Sequence, residues 1–213
     1  DLTVVVEQRG IDITAANVDV HDQVTTSDGG TVETSNAGPL TFADSAGVMA
    51  DGAFTQNGVG PVVLATAVRV DTSTANANIH FSSPIDGPHV LTLASGVGSV
   101  TLDAALGSGV GTELRGLRIA SSGTIKIHDT VETSGQGIDI VGADVTIDRI
   151  LTVAGDDTIY IESMTGTIAF AAAAGAVSAG SNVRLAAATD VKVTGIDAGA
   201  GDVSISAGTG AIL

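Results

Sequence analysis

Three-residue apolar-polar-apolar triplets recur along this chain at a step of about 22 residues, and nothing else in it constrains the fold as tightly. They read VRV at 68–70, LTL at 91–93, LRI at 117–119, IDI at 138–140, IYI at 159–161, VRL at 183–185 and VSI at 203–205. Alternation with period two marks a half-buried strand, outer residues inward and the middle one outward. A second series interleaves with the first: IHF at 79–81, VTL at 100–102, IKI at 125–127, VTI at 145–147, IAF at 168–170 and VKV at 191–193. Each triplet is too short for a sheet of ordinary strands.

The spacing defines three inward columns. Column A is Val70, Leu93, Ile119, Ile140, Ile161, Leu185 and Ile205, at steps of 23, 26, 21, 21, 24 and 20. Column B is Phe81, Leu102, Ile127, Ile147, Phe170 and Val193, and a weaker column C is Ile85, Val110, Val131, Val153, Val177 and Ile196. Links from A to B and from C to A stay near 8 residues, while those from B to C vary from 3 to 8. Two fixed corners and one variable corner describe a coil of three short strands around a triangular core, because insertions are tolerated at a corner and not within a ladder. Gly-rich stretches such as GSGVG (107–111), TSGQG (133–137) and DAGAGD (197–202) supply the turns.

The expected fold is therefore all-β, a right-handed parallel β-helix (β-solenoid) with three short strands per coil of about 22 residues. From Val70 to Ile205 there are 205 − 70 = 135 residues over six steps. At that pitch the chain makes roughly nine coils, a rod about 45 Å long at about 4.8 Å per coil. One solenoid segment spans 1–213, regular over 68–213 and less regular over 1–67, where Val20, Phe42 and Leu64 still keep a 22-residue step. A string of β-sandwich modules is the rival; it needs longer strands and usually a core aromatic, and this chain has no Trp, one Tyr and four Phe.

Composition then limits function. With 8 basic and 24 acidic residues the net charge is −16, and Lys126 and Lys192 are the only lysines. A phosphate backbone needs clustered Lys and Arg, so nucleic acid is excluded as a partner, and anionic membrane surfaces are disfavoured for the same reason. No apolar run approaches 18 residues, so no membrane insertion is expected. There are no cysteines, hence no disulfide framework and no thiolate metal site. The chain begins at Asp1 within a strand and ends at Leu213 within the pattern, so it reads as a piece of a longer protein. Cut coils expose strand edges, and edges invite pairing; self-association or contact with neighbouring repeats of the same chain is expected.

The runs SAGVMADGAFTQNGVGPVVLAT (45–66), GDDTIYIESMTGTIAFAAAAGAVSAGSNVRLAAATDVKVTG (155–195) and GDVSISAGTGAI (201–212) resemble the repeats of filamentous-haemagglutinin-type and other giant bacterial surface proteins. That resemblance implies a secreted right-handed β-helix at the bacterial cell surface or outside the cell. It would serve as an adhesin shaft or filament, with a surface glycan or a host or cell-surface molecule as ligand.

Parallel β-helices also house polysaccharide-degrading enzymes, so a carbohydrate-active enzyme or polysaccharide-binding module is the alternative. Glycosidic hydrolysis needs two carboxylates across one bond. Asp156-Asp157 resembles the paired aspartates of polygalacturonase-type glycosidases, but the GHG and RIK elements of that family are missing and the pair falls at a turn. No catalytic residue or cofactor is assigned. AGDDTIY (154–160) also resembles half of a calcium-binding nonapeptide without its leading glycine pair, which leaves Asp156 and Asp157 as weak calcium candidates. The four histidines lie far apart in sequence and read as solvated side chains. The outward residues of column A should form a surface ladder: Arg118 beside Asp139 as a charge pair, then Tyr160, with Arg184 stacked on its ring.

Overall fold

A computed structural model describes residues 10–108, 111–155, 157–171 and 176–213 of the chain. It is a parallel β-solenoid. The strands fall on three faces, here named A, B and C after the columns, and successive coils pair in parallel. Face B stacks nine strands: Ile11–Ala15, Val32–Asn36, Phe54–Gln56, Ile79–Phe81, Val100–Leu102, Thr124–Ile127, Asp144–Ile147, Ile168–Phe170 and Val191–Lys192. Face A stacks nine more: Gln23–Thr25, Gly47–Met49, Val68–Asp71, Val90–Gly96, Gly116–Ser121, Ile138–Gly142, Ile159–Ser163, Val183–Ala187 and Val203–Ala207. Nine rungs are separated by eight steps, about 38 Å at about 4.8 Å each.

Face C is interrupted. Strands Val18–Val20, Leu40–Phe42, Val62–Leu64 and Ile85–Asp86 form one group, and Val131–Ser134, Leu151–Ala154, Ala176–Ala179 and Gly195–Asp197 another. The fifth rung between them is carried by single bridges, Ile85 to Leu106 and Leu106 to Val131. Leu114 bridges Thr133. The expected column C thus needs correction. Leu106 fills the rung assigned to Val110, which lies outside the described residues, and Leu151 rather than Val153 pairs with both Val131 and Val177. Val153 is inward as well, one pleat further on. A period-two pattern cannot distinguish these two registers, because both place an apolar residue inside.

Columns A and B run as the spacing predicts. Val70, Leu93, Ile119, Ile140, Ile161, Leu185 and Ile205 are partners in one ladder, as are Phe81, Leu102, Ile127, Ile147 and Phe170. The triangular interior is narrow. Stacked β-branched and Leu side chains fill it, with Ile140, Ile147 and Leu185 fully buried.

The corners hold the rest of the polar accounting. At the turn from A to B, buried Thr26, Thr72, Ser95, Ser121 and Ser163 stand on five of the nine coils. Their hydroxyls donate to the turn carbonyls of Gly30, Ala77, Gly98, Gly98 and Ala143, respectively. A coil corner aims its carbonyls away from the ladder, and a short hydroxyl side chain satisfies them without widening the turn.

The B-to-C corner of the early coils is built from larger polar groups. Asn36 and Gln56 are fully buried, and Gln56 Nε2 donates to Asn36 Oδ1 at 2.8 Å and to Gly58 O at 3.0 Å. Gln56 Oε1 accepts from the backbone N–H groups of Ser82 and Ser83, both at 3.2 Å. Asn36 Nδ2 donates to Gly38 O and Gly60 O at 2.7 and 3.0 Å. The backbones approach so closely here that a Cβ on Gly60 would lie 1.8 Å from Gly38 O.

Candidate functional site

Outward residues of a parallel ladder must stack in rows, so each face offers continuous stripes of side chains. On face A one stripe runs Arg69, Thr92, Arg118, Asp139, Tyr160, Arg184 and Ser204, each paired in register with the next. The guanidinium of Arg184 sits 5.3 Å from the Tyr160 ring centroid, within cation–π range. Arg118 and Asp139 are register partners, yet the Arg118 guanidinium takes a different partner from the charge pair expected: its Nη2 donates to Gln136 Oε1 at 3.4 Å. Gln136 lies in the turn leading into the Asp139 strand, a contact that no column spacing reveals.

A second outward stripe lies beside the first. Asp71, Ala94, Ala120, Val141 and Glu162 occupy successive rungs. Its middle is small, and the two stripes together enclose a shallow groove of about 400 Å³ over Arg69, Thr92, Arg118, Ala120, Asp139 and Val141. Charged groups close its ends. Arg69 donates to Asp71 through Nε and Nη2 at 3.1 and 2.5 Å. Burial pushes the Asp71 carboxyl upward, but the hydroxyl and backbone N–H of Ser73, together with Arg69, outweigh it and hold the group below its ordinary value. Tyr160 donates its phenolic proton to Glu162. That bond, with burial and the Glu162 charge, raises the tyrosine above its ordinary value.

On face B a row absent from the sequence reading links four coils. His80 Nε2 lies 2.7 Å from Asp103 Oδ2, His128 Nε2 lies 3.9 Å from Asp103 Oδ1, and His128 Nδ1 lies 2.6 Å from Asp148 Oδ2. His21 Nδ1 pairs likewise with Asp44 at 2.7 Å. Sequence spacing alone leaves these histidines as solvated side chains, because 80, 103, 128 and 148 are remote in sequence. The signal was present all the same: Asp103, His128 and Asp148 each directly follow the inward residue of column B, so one register brings them together. The row is half exposed, and its alternating carboxylate and imidazole groups bind one another.

Of the calcium candidates, Asp156 lies outside the described residues and Asp157 is a half-buried residue in the turn from C to A. Among the described residues, no three His, Asp or Glu side chains converge to hold a metal ion, and no helix is long and apolar enough to cross a membrane.

The fold defines the class as a parallel β-solenoid repeat protein with continuous side-chain stripes on its faces. No family model, curated protein or solved structure matches the chain.

Proposed function

We propose that this chain is a structural shaft segment of a secreted bacterial cell-surface or filament protein. The observation that carries the reading is the uninterrupted ladder of column A, in which every coil is joined to the next from Val70 to Ile205. Such a ladder transmits load along its axis through backbone hydrogen bonds. It also leaves three outer faces free to vary without disturbing the core. The hydroxyl, Arg and Asp stripe of face A suits contact with another surface. The repeat resemblance of 45–66, 155–195 and 201–212 supports the same placement outside the cell.

The groove over Arg69, Thr92, Arg118 and Asp139 favours a second reading, a polysaccharide-binding or carbohydrate-active module, since hydroxyls and charges along a groove suit a sugar chain. Two measurements separate these readings. Antibody raised against the chain should label intact cells that express the full-length protein, and the chain should release no new reducing ends or unsaturated products from a panel of acidic and neutral polysaccharides. Cleavage abolished by Asp139→Asn would replace the shaft with the enzyme; labelling only after lysis would remove the surface placement.

A further inference from the structure

Charge is distributed unevenly around the triangle. Among the described residues, the strands of face C carry four carboxylates, Asp19, Asp86, Glu132 and Asp197, and no cation. The strands of face A carry three arginines, Arg69, Arg118 and Arg184, on a chain with only eight basic residues. Counting rungs from the first described coil, the arginines stand on rungs 3, 5 and 8 of face A. The carboxylates stand on rungs 1, 4, 6 and 9 of face C. The gaps between arginines are two rungs and then three. Asp86, Glu132 and Asp197 are separated by the same two and three.

From this match we infer that face A of one copy packs laterally on face C of a second copy, the two rods parallel and offset by one rung. The offset brings Arg69 to Asp86, Arg118 to Glu132 and Arg184 to Asp197 together. Like charges are kept apart: Asp139 meets Thr152 and Glu162 meets the rung of Ser178, while Asp71, which meets the rung of Asp86, is already held by Arg69. With no offset, none of the three arginines meets a carboxylate and Asp139 opposes Glu132. An antiparallel arrangement also pairs three arginines, because the carboxylate spacing is palindromic. It sets Val63 against Asp139, however, whereas the parallel one sets exposed Met49 opposite Val63.

Shape agrees with charge. The groove on face A spans rungs 3 to 6. At rung 5 of face C, Leu106 makes single bridges in place of a paired strand, and the one-rung offset sets that rung over Thr92 between Arg69 and Arg118. The contact is heterologous, and a one-rung step at every contact does not close, so copies add without limit. Eight facing rungs of about 4.8 Å and a face some 10–15 Å wide give on the order of 400–600 Å² per copy, short of the roughly 800 Å² of a stable complex. Single segments therefore associate weakly, and a longer shaft would repeat the contact. The match lies in the register of two faces and stands whether or not the chain serves as a shaft.

Sedimentation velocity on the purified chain, at up to about 1 mM and at an ionic strength of about 0.15 M, where net-charge repulsion is screened beyond about 8 Å, tests the packing. The wild type should associate with rising concentration. Arg118→Glu should weaken association at least tenfold, while Lys126→Glu on face B, with the same change in net charge, should not alter it; circular dichroism verifies that both keep the wild-type β spectrum. Adding Glu132→Arg to Arg118→Glu should restore association. A chain carrying Arg118→Glu and Arg184→Glu, and one carrying Glu132→Arg and Asp197→Arg, should each associate weakly alone, whereas their mixture should associate in alternation, since both of its A-to-C junctions are complementary. A wild type that stays monomeric throughout, or an equal loss from Lys126→Glu, overturns the proposal. Rescue by Asp86→Arg in place of Glu132→Arg overturns the parallel arrangement.

Discussion

The early coils and the late coils solve the same packing problem with different chemistry. Between rungs 6 and 8 the B column is Ile127, Ile147 and Phe170, an apolar stack filled by dispersion and hydrophobic burial. Between rungs 2 and 4 the same column is Thr34, Gln56 and Phe81. There a buried amide replaces aliphatic carbon and is anchored to two turns by directional hydrogen bonds. The aliphatic stack tolerates small shifts, whereas the amide network demands one arrangement in full. A fully satisfied polar network specifies geometry, and a half-satisfied one costs more than apolar packing.

Substitutions ranked by size break or sharpen that contrast. Gly60→Ala should be the most damaging, upwards of about 4 kcal/mol, since its Cβ would fall 1.8 Å from Gly38 O. Hydrogen exchange should rise over the first three rungs and stay slow from rung 6 onward, as expected where each coil contacts only its neighbours. Gly195→Ala, with nothing within 4 Å of its Cβ, is the matched control and should stay within about 0.5 kcal/mol of wild type. Uniform unfolding by Gly60→Ala would show that the two regions are one cooperative unit.

Ile147→Ala in the aliphatic stack should cost about 2–5 kcal/mol by urea denaturation. Gln56→Leu removes an amide whose partners are then stranded at about 1–3 kcal/mol apiece, so an apolar gain in the early coils should still lower stability. If Gln56→Leu stabilises the chain, the early coils are not held by their polar network. Thr34→Val points the other way. The Thr34 hydroxyl is buried without a hydrogen-bond partner, and its replacement by a methyl group should raise stability by about 1 kcal/mol.

The smallest effects concern pH. Tyr160 is the chain's single tyrosine and there is no tryptophan, so its ultraviolet titration reports one rung. Its folded value is raised, and the stability this contributes is complete below the ordinary tyrosine range and fades as pH climbs through the folded value. Glu162→Gln should move the titration downward; an unchanged curve would remove the Tyr160–Glu162 bond from the account. Asp71 has the opposite sign. Its folded value is lowered, so its contribution is present above the ordinary aspartate range and disappears as pH falls through the folded value. Asp71→Asn should therefore be less stable than wild type at neutral pH and converge with it in acid.

How much could be read in advance follows the same divide. The late coils are legible because the inward positions of the A and B triplets are apolar, which keeps the period-two signal intact, and one register satisfies all rungs. The stripe through Arg118, Asp139, Tyr160 and Arg184 came with it, since outward residues inherit the register of inward ones. The early coils were less legible for the reason that stabilises them: an inward Gln56 or Thr34 looks like an outward residue until its partners are known. At the fifth rung of face C, the variable corner hid Leu106 behind an insertion.

The local sequence, then, determined the period, the three faces and the order of residues along each stripe, because alternation and turn chemistry act over a few residues. Only the tertiary structure decided which remote groups meet. Gln136 rather than Asp139 receives the Arg118 guanidinium, Asp103 stands between His80 and His128, and Asn36 locks to Gln56. The physical reason is that a side chain's partner in a solenoid lies about 20 residues away along the chain and about 4.8 Å away in space. A shift of one or two residues at any corner replaces that partner, and corner lengths are settled by how the coils pack.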